Sequence, residues 1–212
     1  VGKTPLYYGC AGKALVFGSE LKALWQHPDF DNPVNPDALA QLLQLDYIPA
    51  PHSIHRHCWK LQPGCVLWLD AASVMAGPAA QQPRIAQQGF WSAVDAMGQA
   101  LANPFAGTFE QAVDAVDTLL ADAVALRCLA DVPVGVFLSG GTDSALVAAQ
   151  MQARGGAPVR SFSIGFEGSS HDEAPLAREV ASHLGLDHTE LYVSGADALA
   201  TVAQLPAMFD EP

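Results

Sequence analysis

From Thr108 onward the apolar positions recur at helical spacing. Phe109, Ala112, Val113, Val116, Leu119, Leu120 and Ala123 fall on one side of a helix, with Glu110, Asp114, Asp117 and Asp122 mostly on the other. Thr108 and Gln111 stand at the spacing of a capping box at its start. Val132 to Leu138 is a short apolar run that predicts a buried strand. Ser144 to Arg154 reads as a helix stopped by Gly155-Gly156, and Val159 to Phe166 as a second strand. A helix from about Asp172 to His183 tolerates Pro175 only in its first turn. His188 to Val193 predicts a third strand and Ala196 to Leu205 a last helix. Alternation of strands and helices implies crossover units and a parallel sheet.

Upstream the elements are shorter. Residues 5–9 and 14–18 are β-prone runs separated by Cys10 to Lys13, with Gly12 as the turn signal, and predict a hairpin. Ser19 precedes a short helix over Glu20 to Trp25 and supplies a hydroxyl cap. Pro36 to Leu45 carries Leu39, Leu42, Leu43 and Leu45 and predicts another helix. Cys65 to Leu69 reads as a strand after the Pro63-Gly64 turn. Residues 71–107 are rich in Ala, Gln, Gly and Pro, carry only Arg84 and Asp95 as charges, and read as a linker whose Phe90-Trp91 docks on a flanking unit. The chain thus divides into 1–70, 71–107 and 108–212.

Composition narrows the class. Of 212 residues half are apolar and 15% charged, enough for a packed core. No apolar run reaches the roughly 20 residues of a membrane-spanning helix. The net charge is −12, of which residues 71–212 carry −11. Nucleic-acid binding, which needs clustered Lys and Arg, is disfavoured. The four cysteines form no C-x-x-C pair, and a reducing cytoplasm is the simplest compartment. The sequence opens without Met or a signal-peptide pattern and stops just after a helical pattern, so it is expected to be a window of a longer protein.

The chemistry concentrates in Phe137-Leu138-Ser139-Gly140-Gly141-Thr142-Asp143-Ser144, between the first buried strand and the next helix. In an open parallel sheet ligands bind at the carboxyl ends of strands. Gly140 and Gly141 permit a tight turn and close backbone approach to an anion, and the helix N-terminus points free N–H groups at it. Ser139 and Ser144 add hydroxyls. Asp143 would repel a phosphate unless Mg²⁺ lay between them, which hints at a metal-bridged pyrophosphate. A P-loop is excluded because no Lys follows the glycines, and the G-x-G-x-x-G spacing is absent. Phe137 and Thr142 occupy the first glycine positions that a nucleophile elbow at Ser139 or Ser144 would require.

Ser139-Gly140-Gly141-Thr142-Asp143-Ser144 resembles the SGGxDS loop of ATP pyrophosphatases. Asp131-Val132-Pro133-Val134-Gly135-Val136-Phe137-Leu138 before it, and Ser161-Phe162-Ser163-Ile164-Gly165-Phe166 after it, are similar to the corresponding runs of glutamine-hydrolysing asparagine synthetases. So are Asp172-Glu173, Ala177-Arg178-Glu179-Val180-Ala181, Gly2 to Tyr8, Ser19 to Leu24, Tyr47 to Ile54 and Lys60 to Gly64. The resemblance implies an α/β fold: the first half of an adenine nucleotide alpha hydrolase-like ATP-pyrophosphatase domain, preceded by the β-rich tail of an amidotransferase domain. It also implies ATP and Mg²⁺, activation of aspartate as β-aspartyl-AMP, and displacement of AMP by ammonia released from glutamine. By the same resemblance Ser139, Gly140, Gly141, Asp143 and Ser144 hold pyrophosphate, with Asp143 on Mg²⁺. Leu138 and Ile164 match positions that hold adenine and ribose, partly through backbone groups. The glutaminase Cys and the loops for glutamine and aspartate fall outside the window, so no catalytic residue is expected within it and the segment alone is expected to turn over neither substrate. The implied partners are small molecules, with no nucleic acid and no membrane; a homodimer is compatible.

Other readings stay open. The same architecture amidates other carboxylates, other SGGxDS ligases share the loop, and a degenerate nucleotide-binding module would retain it. His52, His55, His57, Cys58 and Cys65 match no zinc spacing. Asp172 and Glu173 read as first-turn acids at a helix start rather than metal ligands. His188 reads as a core or edge histidine, and Trp25, Trp59, Trp68 and Trp91 as packing.

Overall fold

The computed structural model describes residues 4–31, 33–69, 87–168 and 172–211. The start of the chain and residues 71–86 of the expected linker lie outside them. The chain forms two compact units, Val1–Pro104 with Gln204–Pro212, and Phe105–Ala203.

The first unit is built on an antiparallel sheet of β1 (Tyr7–Ala11), β2 (Ala14–Gly18) and β3 (Cys58–Lys60), in the order β2-β1-β3. Ala11 pairs with Ala14, so the hairpin turns on Gly12-Lys13, where Gly12 has φ 58°. The first strand therefore runs two residues further than its apolar run suggests. As the central strand it is buried along its length. A Cβ on Gly9 would stand 2.4 Å from the His57 carbonyl oxygen, which is why glycine sits where β3 approaches. Helix α1 (Leu21–Leu24) has no side-chain cap, and Ser19 does not supply the expected one; one turn of helix is held instead by burying Leu21 and Leu24 against Tyr7 and Cys58. Helix α2 (Pro36–Leu45) spans the expected residues, with the Asn35 side chain accepting from Asp37 N–H and Pro36 in the first turn.

Strands β4 (Cys65–Leu67) and β5 (Gln87–Gly89) pair antiparallel, and α3 (Ala93–Ala102) follows with Ser92 as its N-cap. The segment expected as a linker thus contains a strand and a helix. The strand takes its ladder from residues 20 to 24 positions away, which composition cannot signal, whereas Ser92 three residues before Asp95 was a legible helix start. It is the backbone of Phe90 and Trp91 that docks, both amides donating to the Gly64 carbonyl, while the two rings remain exposed.

The second unit opens with α4 (Phe109–Arg127), whose capping box is complete: Gln111 N–H donates to Thr108 Oγ1 at 3.3 Å and Thr108 N–H to Gln111 Oε1 at 2.9 Å. Then come β6 (Gly135–Phe137), α5 (Thr142–Ala153), β7 (Arg160–Phe166), α6 (Ala174–Leu184), β8 (Asp187–Val193) and α7 (Gly195–Val202). The sheet is parallel in the order β6-β7-β8. Strand β6 is shorter than its apolar run: its pairing with β7 begins only at Gly135 opposite Arg160. Right-handed crossovers taken in one direction put successive helices on the same face. Accordingly Ala148 of α5 and Ala177 and Ala181 of α6 share one core with Leu138 and Val136. On β7, Ser161, Ser163 and Gly165 face inward, while Phe162, Ile164 and Phe166 are exposed on the other face.

The predicted last helix is divided. Pro206 cannot follow Val202 in a helix, because its ring meets the carbonyl four residues back. Helix α7 ends at Val202 and a separate turn, α8 (Leu205–Met208), follows. This final segment belongs to the first unit. Lys22 Nζ donates to the Met208 carbonyl at 3.0 Å and pairs with Asp210 at 3.4 Å. Glu211 pairs with Lys60 Nζ at 2.5 Å and accepts from Ile54 N–H at 2.8 Å. Burial, and next the Glu211 carboxylate, push the Tyr7 hydroxyl well above its usual range. Among the described residues no helix is long and apolar enough to cross a membrane.

Candidate functional site

At the carboxyl end of the second unit's sheet lies a cleft of about 330 Å³, lined by Phe137, Leu138, Ser139, Phe162, Ser163, Ile164, Glu173 and Ala174. Each side chain arrives by a simple local rule. β6 ends at Phe137, and the chain turns at Gly140 (φ 77°) into α5. A Cβ on Gly140 would stand 2.9–3.0 Å from Leu176 and the Ala177 nitrogen, so glycine permits the loop to lie directly on α6.

The loop is tied by its own hydroxyls. Ser139 N–H donates to Ser144 Oγ at 3.2 Å, the two Oγ atoms are 3.0 Å apart, and Ser144 Oγ donates to the Gly141 carbonyl at 3.1 Å. Gly141 N–H donates to Ser139 Oγ at 3.4 Å. Helix α5 lacks the side-chain cap that Asn35, Ser92, Thr108 and Ser194 give to four other helices. The amides of Thr142, Asp143 and Ser144 have no partner among the described residues. Three unclaimed N–H groups at a helix N-terminus favour an anion. Asp143 stands exposed in that first turn. Mg²⁺ is held in nucleotide sites by one or two carboxylates together with phosphate oxygens and water, and Asp143 fits the protein share of that donor set.

The residues singled out from the sequence take different places. Leu138, Ser139 and Ile164 line the cleft; Ser139, Gly141 and Ser144 form the hydrogen-bonded loop; Gly140 rests on α6. Leu138 is fully buried, and both its backbone groups are engaged: its N–H donates to the Phe162 carbonyl at 2.8 Å, and its carbonyl accepts from Ser163 Oγ at 2.5 Å. Asp172 and Glu173, expected from the sequence in the first turn of α6, both lie before it: Glu173 is the N-cap and makes no side-chain cap bond, while Asp172, one residue earlier, accepts from Phe166 and Ala174 N–H through Oδ1.

Ser163, Phe162, Glu173 and Ala174 were not singled out as site residues. The signal for Ser163 was a small polar residue alternating with Phe162, Ile164 and Phe166, a signal that Ser161 shares. His188 Nδ1 lies 2.8 Å from Ser161 Oγ, behind the sheet rather than in the cleft. In the first unit, His52 meets Gln41 Oε1 and His55 accepts from Trp25 Nε1. Among the described residues no three His, Cys, Asp or Glu side chains are grouped to hold a metal.

The family described as Asparagine synthase matches residues 115–212, and the one described as Glutamine amidotransferase domain matches residues 1–79. A protein of Methanocaldococcus jannaschii named putative asparagine synthetase [glutamine-hydrolyzing] 2 is 30% identical across the whole chain, over 38% of its own length. A putative asparagine synthetase [glutamine-hydrolyzing] of Mycobacterium tuberculosis is 29% identical across the whole chain, over 31% of its length. Asparagine synthetase [glutamine-hydrolyzing] 1 of Bacillus subtilis is 26% identical across the whole chain, over 30% of its length. The chain thus spans less than two fifths of these relatives.

Proposed function

Because the chain belongs to the glutamine-hydrolysing asparagine synthetase family, we propose that its parallel-sheet unit binds ATP and takes part in amidating aspartate with ammonia drawn from glutamine. The observation that carries the reading is the uncapped N-terminus of α5, with its three unclaimed amides beside a cleft large enough for a base and sugar. The same family membership supports reading 1–70 as the tail of an amidotransferase domain, 71–107 as a connection and 108–212 as the first part of an ATP-pyrophosphatase domain.

In the proposed reaction the aspartate side-chain carboxylate attacks the α-phosphorus of ATP. The bond to pyrophosphate breaks, giving β-aspartyl-AMP. Ammonia then attacks the acyl carbon, AMP leaves, and the nitrogen gives up a proton to yield asparagine. The Thr142, Asp143 and Ser144 amides and the Ser139 and Ser144 hydroxyls bind the pyrophosphate oxygens. They are fixed donors at a site where negative charge gathers on the leaving group. Asp143 would hold Mg²⁺, which when bound would supply charge neutralisation to the pyrophosphate. Phe137, Phe162 and Ile164 give the purine an apolar wall.

The test is calorimetric titration of ATP·Mg²⁺ into the full-length protein and its Asp143→Ala variant, with aspartate-dependent pyrophosphate release measured alongside. Mg²⁺-dependent binding that the substitution weakens tenfold or more supports the reading. Equal binding by both proteins removes the nucleotide from this loop.

A further inference from the structure

In a parallel ladder the N–H and C=O of one residue point to the same neighbouring strand, and successive residues alternate sides. Phe162 faces β6, since its carbonyl receives the Leu138 amide. Ile164, two residues on, faces the same side. The next bond of that ladder would run from Ile164 N–H to the Leu138 carbonyl. Among the described residues it is not made; the Leu138 carbonyl accepts from the Ser163 hydroxyl instead. Ser163 is buried, so its hydroxyl has no competing water, and the bond is held on the inward face of the sheet. Among the described residues the Ile164 amide is left without a partner, on a residue that lines the cleft and is half exposed.

We propose that Ser163 is a positioning residue: by occupying the Leu138 carbonyl it keeps the Ile164 N–H open as a donor to a ring nitrogen of the purine. The inference rests on the nucleotide reading above. A buried carbonyl deprived of its partner is costly and recruits the nearest donor. When the hydroxyl is removed, that donor is the Ile164 amide. The ladder then closes by one bond, and the base loses its contact. The fold keeps its hydrogen-bond count while the ligand loses one.

The experiment is Ser163→Ala in the full-length protein, with dissociation constants and steady-state pyrophosphate release measured for ATP and for its 1-deaza, 3-deaza and 7-deaza analogues. The expected result is a roughly fivefold rise in Kd and KM for ATP at a kcat within about twofold, as for lost uniform binding. For the one analogue lacking the accepting nitrogen, wild type and variant bind alike. Ser163→Thr, which keeps the hydroxyl, restores ATP affinity. An equal loss for ATP and all three analogues means a merely structural role and overturns the inference. So does unchanged ATP affinity in the variant. Wild-type protein that binds no ATP removes the nucleotide reading itself, and the inference with it. If the alanine variant does not fold, Ser163→Cys, close in volume and a weak donor, is read by the same outcomes.

Discussion

Replacing Gly140 by alanine separates two demands that the loop makes on that position. The first is conformational: at φ 77° an L-residue carries a penalty of about 1–2 kcal/mol. The second is steric. The new Cβ would lie 2.9 Å from Leu176 Cγ and 3.0 Å from both Leu176 Cβ and the Ala177 nitrogen. A helix backbone atom cannot swing aside, so α6 or the loop must shift, at about 1–3 kcal/mol for overpacking. Gly155 provides the control, with φ 79° and nothing within 4 Å of a Cβ, so Gly155→Ala meets only the first demand. Urea unfolding of the two variants should differ by about 1–3 kcal/mol at unchanged m. Only Gly140→Ala should also weaken ATP·Mg²⁺ binding, since the shifted loop carries the amides of the α5 N-terminus. Equal destabilisation of the two variants would refute the close approach to α6. A Gly140→Ala protein of lowered stability but unaltered nucleotide affinity would refute the link between loop seating and binding.

Two further perturbations address the first unit. Glu211→Gln leaves Lys60 without its carboxylate in a largely buried site and should destabilise by about 3–5 kcal/mol, whereas Lys60→Met with Glu211→Leu should come close to neutral; a urea-unfolding double-mutant cycle that finds the two single losses additive would show the pair to be inert. Burial pushes the Cys58 thiol from 9.0 up to about 12. Its folded form favours the protonated state, so the associated stability is complete below pH 9 and is lost as pH rises toward 12. Unfolding midpoints followed from pH 7 upward should fall more steeply in the wild type than in Cys58→Ala, and identical slopes would contradict the assignment.

Much of the second unit was legible because its signals are local. The helix from Thr108 announces itself by period and capping box, and β7 by its alternation. The SGGTDS loop is legible as a tight turn into a helix from its two glycines and its place between strand and helix. Pro206 also acts locally, yet the helix read as continuous from Ala196 to Leu205 is divided before it. The return of Asp210 and Glu211 to Lys22 and Lys60 was not legible, since those pairs join residues more than 150 positions apart. Nor was β5, a strand of Gln-Gln-Gly with no apolar alternation, which exists because β4 offers it a ladder.

The same division runs through the site. Residue types and spacing determined by themselves that a tight glycine turn opening onto a helix N-terminus would follow the first parallel strand, because glycine freedom and a helix N-terminus are properties of a few adjacent residues. Tertiary structure alone decided which backbone groups around that turn remain available. Whether Leu138 or Ile164 presents an open amide depends on where β6 stops, which strand lies beside it, and where the Ser163 hydroxyl points. Hydrogen-bond pairing across a sheet is a competition among groups brought together by the fold, and the groups left over from that competition are those a ligand can use.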